Sequence, residues 1–452
     1  SDLQLTSAYR VPFQFREELA RHIQLGSVWT ASEGVWVTDL DGQRYMDVSG
    51  SYGVNLLGLD TYKTMIRTAV DSVGELGPLL GGYHPCVLDN VRRLCDISGM
   101  DEVSFHMSGT EAVMQAVRLA RYHTGRKRLV RFTGAYHGWW DDVQPGPGNP
   151  MPPSHHTLTL RDMHDATLRV LRRRNDIACV LVNPIQAMHP NRAAPADSSL
   201  MDGRTDGRVD RQAYADWLRS LREVCSERGI VLILDEVFLG FRLARGGAQE
   251  YFNVKADLVT YGKTIAGGLP VGVLCGRAEL MRRYRDDRPG DLCFARGTFN
   301  AHPLVMGAMQ AFLQRFDEPD MRAACARVDE VWNRRRRAIN RQLEVERLPI
   351  RLIGLGTVWS IVFDQPGRYH WMLQFYLRAE GVLLGWTGSG RLVFGHHFTD
   401  ADVSAFAGRL IRAAARMRQD GWWDGPSDQS GKAIRRTILR EMLLTRLYGL
   451  RA

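Results

Sequence analysis

Lysine is almost missing from this sequence. Of its 59 basic residues only five, Lys63, Lys127, Lys255, Lys263 and Lys432, are lysines. Arginine stays protonated at neutral pH and cannot serve as a nucleophile, so amine chemistry is confined to those five positions. Cysteine patterning is equally bare. The seven cysteines (Cys86, Cys95, Cys179, Cys225, Cys275, Cys293 and Cys325) are odd in number and form no C-x-x-C. That argues against a disulfide framework and a zinc site, and for a reducing compartment. The 13 histidines form no H-E-x-x-H, so no metal site is expected. No apolar run approaches a membrane span, and Ser1-Asp2-Leu3-Gln4 starts no signal peptide. These absences set the expectation of a cytoplasmic protein that does not enter the membrane. The missing initiator methionine fits a processed or excised chain, which leaves room for a fused or partner domain.

What is present is ordinary in bulk. A chain of 452 residues with 44% hydrophobic and 24% charged residues can bury a large core in about two domains. The net charge of +9 is spread among 50 carboxylates. The runs Arg172-Arg173-Arg174 and Arg334-Arg335-Arg336-Arg337 lack interleaved aromatics and read as solvated helix faces, so no nucleic-acid partner is expected. There is no internal repeat and no low-complexity tract.

Residues 1–60 read as a helix and short strands, with a hairpin signal at Asp41-Gly42. From 61 to 305, short apolar runs alternate with amphipathic stretches, as in Arg128–Phe132, Ala178–Val182, Ile230–Leu234 and Val271–Cys275. This pattern predicts an α/β domain whose mostly parallel sheet is sandwiched by helices. Residues 306–418 read as a helix over 306–344, then strands near 351–363 and 391–398 flanking another helix, a smaller α+β domain to which 1–60 contribute. Residues 187–210 read as a long loop. After a break at 420–427, residues 419–452 end in a basic amphipathic helix over 430–448, expected to pack on its own protein.

Four local features carry chemistry. Ser108-Gly109-Thr110-Glu111 is a capping box opening an amphipathic helix, and its free amides and positive dipole end suit a phosphate. The run Ile230–Leu234 ends in Asp235-Glu236, at the strand end where ligands of α/β sheets gather. Phe132-Thr133-Gly134-Ala135-Tyr136-His137-Gly138-Trp139-Trp140 offers aromatics in a glycine-bearing loop, a platform for a planar ring. Lys263 sits in Val259–Pro270, a mostly apolar stretch with no other charge, where desolvation frees its amine. Gly297-Thr298-Phe299-Asn300 adds a glycine and a hydroxyl. A phosphate seat, a flat aromatic, a strand-end acid and a desolvated lysine together describe pyridoxal 5'-phosphate, whose aldehyde condenses with lysine and whose pyridinium needs an acid partner.

The sequence resembles the class III, fold type I pyridoxal-phosphate aminotransferases from about residue 30 to 415. The resemblance is carried by Ser-Gly-Thr-Glu-Ala at 108–112, Tyr-His-Gly at 136–138, Asp-Glu-Val at 235–237, Gly-Phe-Arg at 240–242 and the Lys263 turn. Gly246–Phe252 looks most like glutamate-1-semialdehyde aminomutases and aminotransferases of natural-product pathways. The resemblance implies that Lys263 holds the cofactor and moves the proton. Asp235 would hold the ring nitrogen proton, Tyr136 and Val237 would cover the two ring faces, and Glu236 would orient Asp235 or its loop. Ser108, Gly109, Thr110 and His137 would complete the cofactor site, joined by Thr298 from the second subunit of a homodimer with shared active sites. It also aligns Arg391, in Gly390-Arg391-Leu392-Val393, with an arginine that pairs with an α-carboxylate. Tyr52, Trp139 and Trp140 would narrow the entrance.

Some positions depart from the family. Trp139 stands where glutamate-gripping members have arginine, Asn183-Pro184 stands for Glu-Pro, and Leu25–Trp29 has no Pro-Val-Arg. These weigh against glutamate semialdehyde as substrate. The expected reaction is amino transfer from an α-amino acid to an aldehyde or ketone, without a metal and with room for a fused or partner biosynthetic domain; the alternative is an intramolecular aminomutase. Lys263→Ala is expected to abolish the visible absorbance of the lysine-bound cofactor. Borohydride reduction with peptide mapping should mark Lys263, and a label on Lys255 would overturn the assignment.

Overall fold

The apolar runs of the sequence assemble into a seven-stranded sheet. In this computed structural model, residues 28–144, 151, 154–184, 210–365, 367–385 and 391–423 are described, with 433–434, 436–437, 439–441 and 443–444 beyond them. The long loop at 187–209, the helix expected ahead of residue 28 and the departures at 25–27 lie outside the described residues. Two compact units are present. The larger comprises 60–184 and 210–328, the smaller 28–59 and the residues from 329 onward.

In the larger unit the strand order is Glu102–His106, Gly272–Gly276, Leu258–Gly262, Val231–Asp235, Ile177–Val182, Arg128–Phe132, Thr157–Leu160. Gly272–Gly276 is antiparallel to both neighbours, and the five strands from Leu258–Gly262 to Thr157–Leu160 are parallel. Alternation along the strands feeds two faces. Leu129 joins Val113, Ala116 and Val117 of the helix Gly109–Thr124 in one core cluster. Phe132 meets Trp217 of the helix Arg211–Arg228 edge-on at 5.3 Å. The sheet is thus covered by helices on both faces, as a parallel sheet requires.

The boundary expected at 306 falls between Val328 and Asp329. The helix expected over 306–344 is three, Pro303–Phe316, Pro319–Ala326 and Val328–Val345, because Pro319 cannot continue the first. Pro303–Phe316 belongs to the larger unit. Its Phe312 stacks on Tyr62 at 6.4 Å, its Phe316 meets Phe241 at 5.0 Å, and Asn90 donates to the Met306 carbonyl at 2.9 Å.

The smaller unit has a four-stranded sheet (Trp29–Glu33, Trp36–Asp39, Arg44–Asp47, Val382–Leu383) and a three-stranded one (Ile350–Leu355, Val358–Phe363, Arg391–Val393). The Asp41-Gly42 hairpin forms, clamped by the Asp39 carboxylate, which accepts from the amides of Asp41 and Gln43 at 3.1 and 2.8 Å. The strand expected over 391–398 stops at Val393. The tail is helical at its described positions, and Glu441 pairs with Arg368 at 2.8 Å within the same unit. Among the described residues no helix is long and apolar enough to cross a membrane.

One side chain closes the ladder between the two strands that matter most. Asp257 is buried just ahead of Leu258, where its amide donates to the Leu232 carbonyl at 2.9 Å and its Oδ2 accepts from the Leu232 amide at 2.7 Å. Arg222 and Arg277 each pair with it at 2.8 Å. Asp257→Ala would leave a buried amide unsatisfied, and is expected to lower stability by about 1–3 kcal/mol. The urea midpoint of the protein would show it, with Asp257→Asn retaining part of the loss.

Candidate active site

Two neighbouring parallel strands end together. Asp235 is the last residue of Val231–Asp235 and pairs in register with Thr260, three residues before Lys263. Both side chains therefore emerge at the carboxyl edge of the sheet, where the ladder ends and the backbone can turn. Asp235 is buried and held on both oxygens. Oδ1 accepts from the Val237 amide at 3.1 Å and from Thr260 Oγ1 at 3.2 Å, and Oδ2 lies 2.7 Å from His137 Nδ1. A carboxylate only accepts, so Nδ1 carries the hydrogen in that contact. Burial lowers the pKa of His137, the bond from Asp235 pulls the other way, and Arg131 adds to the effect of burial.

Lys263 begins the short 3₁₀ turn Lys263–Ala266 with φ at +47°, in the left-handed region that a side chain seldom adopts. Burial lowers its pKa from the ordinary 10.5 to about 8, opposed by Asp235 and reinforced by Arg242. Nζ lies 5.3 Å from the centroid of the Phe238 ring.

The capping box forms with a shift. Ser108 is the N-cap, and its Oγ accepts from the Glu111 amide at 3.2 Å. Glu111 reaches back one residue further, to the Met107 amide at 2.9 Å. The amides of Gly109 and Thr110 precede the first helical hydrogen bond and point ahead of the helix. Glycine is required at two contacts here. A Cβ on Gly109 would lie 2.7 Å from Val237 Cγ1, and one on Gly138, at φ +99°, would lie 2.3 Å from Thr110 Oγ1. Val237 is thereby set against Gly109, and the Tyr136–Gly138 loop against Thr110 at the helix start. Tyr136 is half exposed, its hydroxyl pKa raised by burial and by Asp235.

The other expected residues are dispersed. Trp139 is 72% exposed. Trp140 instead packs on the core cluster under Gly109–Thr124, with the Arg121 guanidinium 5.9 Å from its ring centroid, because the turn after Gly138 directs it inward. Thr298 is exposed in the loop before Pro303–Phe316 and bonds to none of the other site residues among those described. In the smaller unit, the Val393 amide donates to the Val48 carbonyl at 2.8 Å, which lays the strand of Arg391 beside the turn that carries Tyr52. Tyr52 is exposed with φ at +59°, and burial lowers the pKa of Arg391 to about 10. Glu236 does not reach Asp235. Its Oε2 accepts from the Ala248 amide at 2.6 Å and so anchors the start of the helix Gly247–Phe252. Thr260 and Phe238 were not singled out in the sequence. Only the strand register and the turn after Asp235 bring them to the acid and the amine.

The model of the class-III aminotransferase family matches residues 20–142 and 210–414. Among solved structures, a β-phenylalanine aminotransferase from Variovorax paradoxus is 26% identical, covering 93% of this chain and 98% of its own, with a TM-score of 0.72. A transaminase with PLP bound is also 26% identical, covering 87% and 92%, with a TM-score of 0.71. A glutamate-1-semialdehyde aminomutase from Pseudomonas aeruginosa PAO1 shares the fold at 20% identity, covering 91% and 96%, with a TM-score of 0.70. This chain belongs to the class-III aminotransferases. It is a transaminase that works with pyridoxal phosphate.

The residues present fit that cofactor. The helix start framed by Gly109 and Gly138 is a seat that a Cβ would fill, the oriented carboxylate of Asp235 can accept the hydrogen bond of a protonated ring nitrogen, and Lys263 offers an amine with a lowered pKa. The lowered value means that Lys263 is charged below about pH 8 and becomes nucleophilic above it. In cofactor-free protein, reductive methylation of Lys263 should therefore rise through about pH 8. An exposed lysine should do so only near the ordinary value of about 10.4. Competitive labelling with mass spectrometry checks this, and a coincident rise for all lysines would refute it.

Proposed function

We propose that the enzyme moves an amino group from an α-amino acid donor to an apolar aldehyde or ketone in a natural-product pathway. The observation that carries this reading is Trp139. An uncharged indole, 72% exposed, follows Gly138 at the position where glutamate-gripping relatives have arginine. Arg391 then supplies the cation for the donor carboxylate, since its planar fork matches two oxygens. That a relative of 26% identity acts as a β-phenylalanine aminotransferase supports an apolar partner substrate.

In this reading pyridoxal phosphate supplies the electron sink. Lys263 holds the cofactor aldehyde and, once freed, moves the proton at the substrate carbon. Asp235 keeps the ring nitrogen protonated, Tyr136 and Val237 sandwich the ring, and Ser108, Gly109, Thr110 and His137 complete the seat. Thr298 reaches the phosphate of the second subunit. Leu79, Tyr83, Leu88, Phe294 and Phe299 are exposed on the larger unit, a liability that a second copy of the chain would cover. The seven cysteines, all free, suit a reducing cytoplasm.

The amine formed from a panel of donors and carbonyl acceptors tests the reaction. Arg391→Ala should slow the half-reaction with amino-acid donors by about 10–100-fold, the worth of one charge-assisted hydrogen bond. The half-reaction with an apolar acceptor should be nearly spared, and Arg391→Lys should rescue in part. Single-turnover spectra with each substrate alone separate the two. Equal losses would favour an intramolecular aminomutase, in which both partners carry the carboxylate.

A further inference from the structure

The reactive amine has an aromatic neighbour that the reaction as described does not use. Lys263 is partly buried, and among the described residues its Nζ pairs with no carboxylate. The charged groups that act on it are Asp235, which favours the ammonium, and Arg242, which opposes it. What lies against the amine is a ring. Nζ sits over Phe238, 5.3 Å from the ring centroid, and the guanidinium of buried Arg242 sits over the same ring at 5.8 Å. Both distances fall within the roughly 6 Å at which a cation is drawn to the negative face of an aromatic ring.

The backbone fixes ring and amine relative to each other. Phe238 lies in the turn 236–240, closed by the Gly240 amide, which donates to the Glu236 carbonyl at 2.7 Å. The Val237 amide ties the start of the turn to Asp235 Oδ1 at 3.1 Å. Two glycines press this turn onto the strand that leads to Lys263. A Cβ on Gly240 would lie 2.7 Å from Tyr261 Cδ1, and one on Gly262 would lie 3.2 Å from Val237 Cγ1. Lys263 itself leaves that strand in the left-handed region, at φ +47°. Such a conformation persists only where the surroundings hold it, and here they hold the amine beside the ring.

An amine that both gives and takes a proton needs its charged form stabilised, but weakly. A carboxylate in contact would grip the ammonium through a charge-assisted hydrogen bond and keep the free amine scarce at neutral pH. A ring face attracts the charge without accepting a conventional hydrogen bond, so the N–H bonds of Nζ stay available to the reacting carbon. We propose that Phe238 is a positioning residue, whose ring face holds the Lys263 ammonium at the edge of the sheet in place of a contacting carboxylate. The inference rests on the role given to Lys263 above. The proton leaving the substrate carbon goes to the Nζ lone pair, the electrons it leaves behind pass to the electron sink, and the ring face receives the ammonium so formed.

Ring fluorination at Phe238 tests this, because fluorine drains the negative face of the ring with little change of shape. Amber suppression would place phenylalanine with one, three or five ring fluorines at this position of the full chain. Competitive reductive methylation with mass spectrometry then reads the labelling midpoint of Lys263 in cofactor-free protein. The midpoint should fall stepwise, from about pH 8 in the wild type to about 7–7.5 with five fluorines, a 3–10-fold drop in the ratio of ammonium to amine. The 4-methyl analogue, which adds apolar bulk but keeps the negative face, should leave it at about 8. A midpoint that stays put or rises along the fluorine series would overturn the proposal. So would an equal fall with the methyl analogue, since bulk rather than ring charge would then be at work. Borohydride reduction of the same holoenzymes separates this inference from the reading beneath it. Label on Lys263 with a flat series means that Phe238 fails and Lys263 stands. Label on another lysine removes the role of Lys263, and this inference with it.

Discussion

The site depends on one pair of parallel strands. Val231–Asp235 and Leu258–Gly262 run in a register that sets Asp235 opposite Thr260, and the ladder is pinned at its start by Asp257 bonded to Leu232. From this register the acid and the amine reach the same edge of the sheet on adjacent strands. A slip of one residue would send Asp235 to the opposite face and part it from Thr260, since side chains alternate along a strand. The ends of the strands, rather than their interiors, are where such groups can sit, because only there does the backbone leave the ladder.

Desolvation then sets the chemistry. The same apolar surroundings that lower Lys263 to about 8 raise Glu236 to about 8, so burial makes a better nucleophile of one and a neutral acid of the other. Three buried polar groups of the site have distinct partners. Asp235 is oriented by three donors, Glu236 ties down the start of Gly247–Phe252, and His137 links the aromatic loop to the acid. Close contacts through Gly109 and Gly138 join the start of the helix Gly109–Thr124, Val237 and the Tyr136 loop into one packed body. Few of these groups can move without disturbing the others.

Much of this was legible in the chain because the signals are local. The capping box at Ser108, the apolar strand ending at Asp235 and the isolated Lys263 each need only a few neighbouring residues to be read. The resemblance to class III enzymes then set them in order. Trp139 is exposed while Trp140 packs against the core cluster, because adjacent residues of a turn point in different directions and adjacency in sequence does not say which faces the core. The domain boundary was misplaced because Pro303–Phe316 is apolar enough to belong to either unit, and only its contacts with Tyr62 and Phe241 assign it.

By itself, then, the sequence determined the residue chemistry available to this protein: which amine can react, which acid ends a strand, and which glycines admit a ligand. Tertiary structure decided the pairings. Thr260 lies 25 positions from Asp235, and His137 lies 98, yet both hold its carboxylate. Such facts depend on strand register and on the exclusion of water by segments far apart in the chain, and no local pattern encodes them.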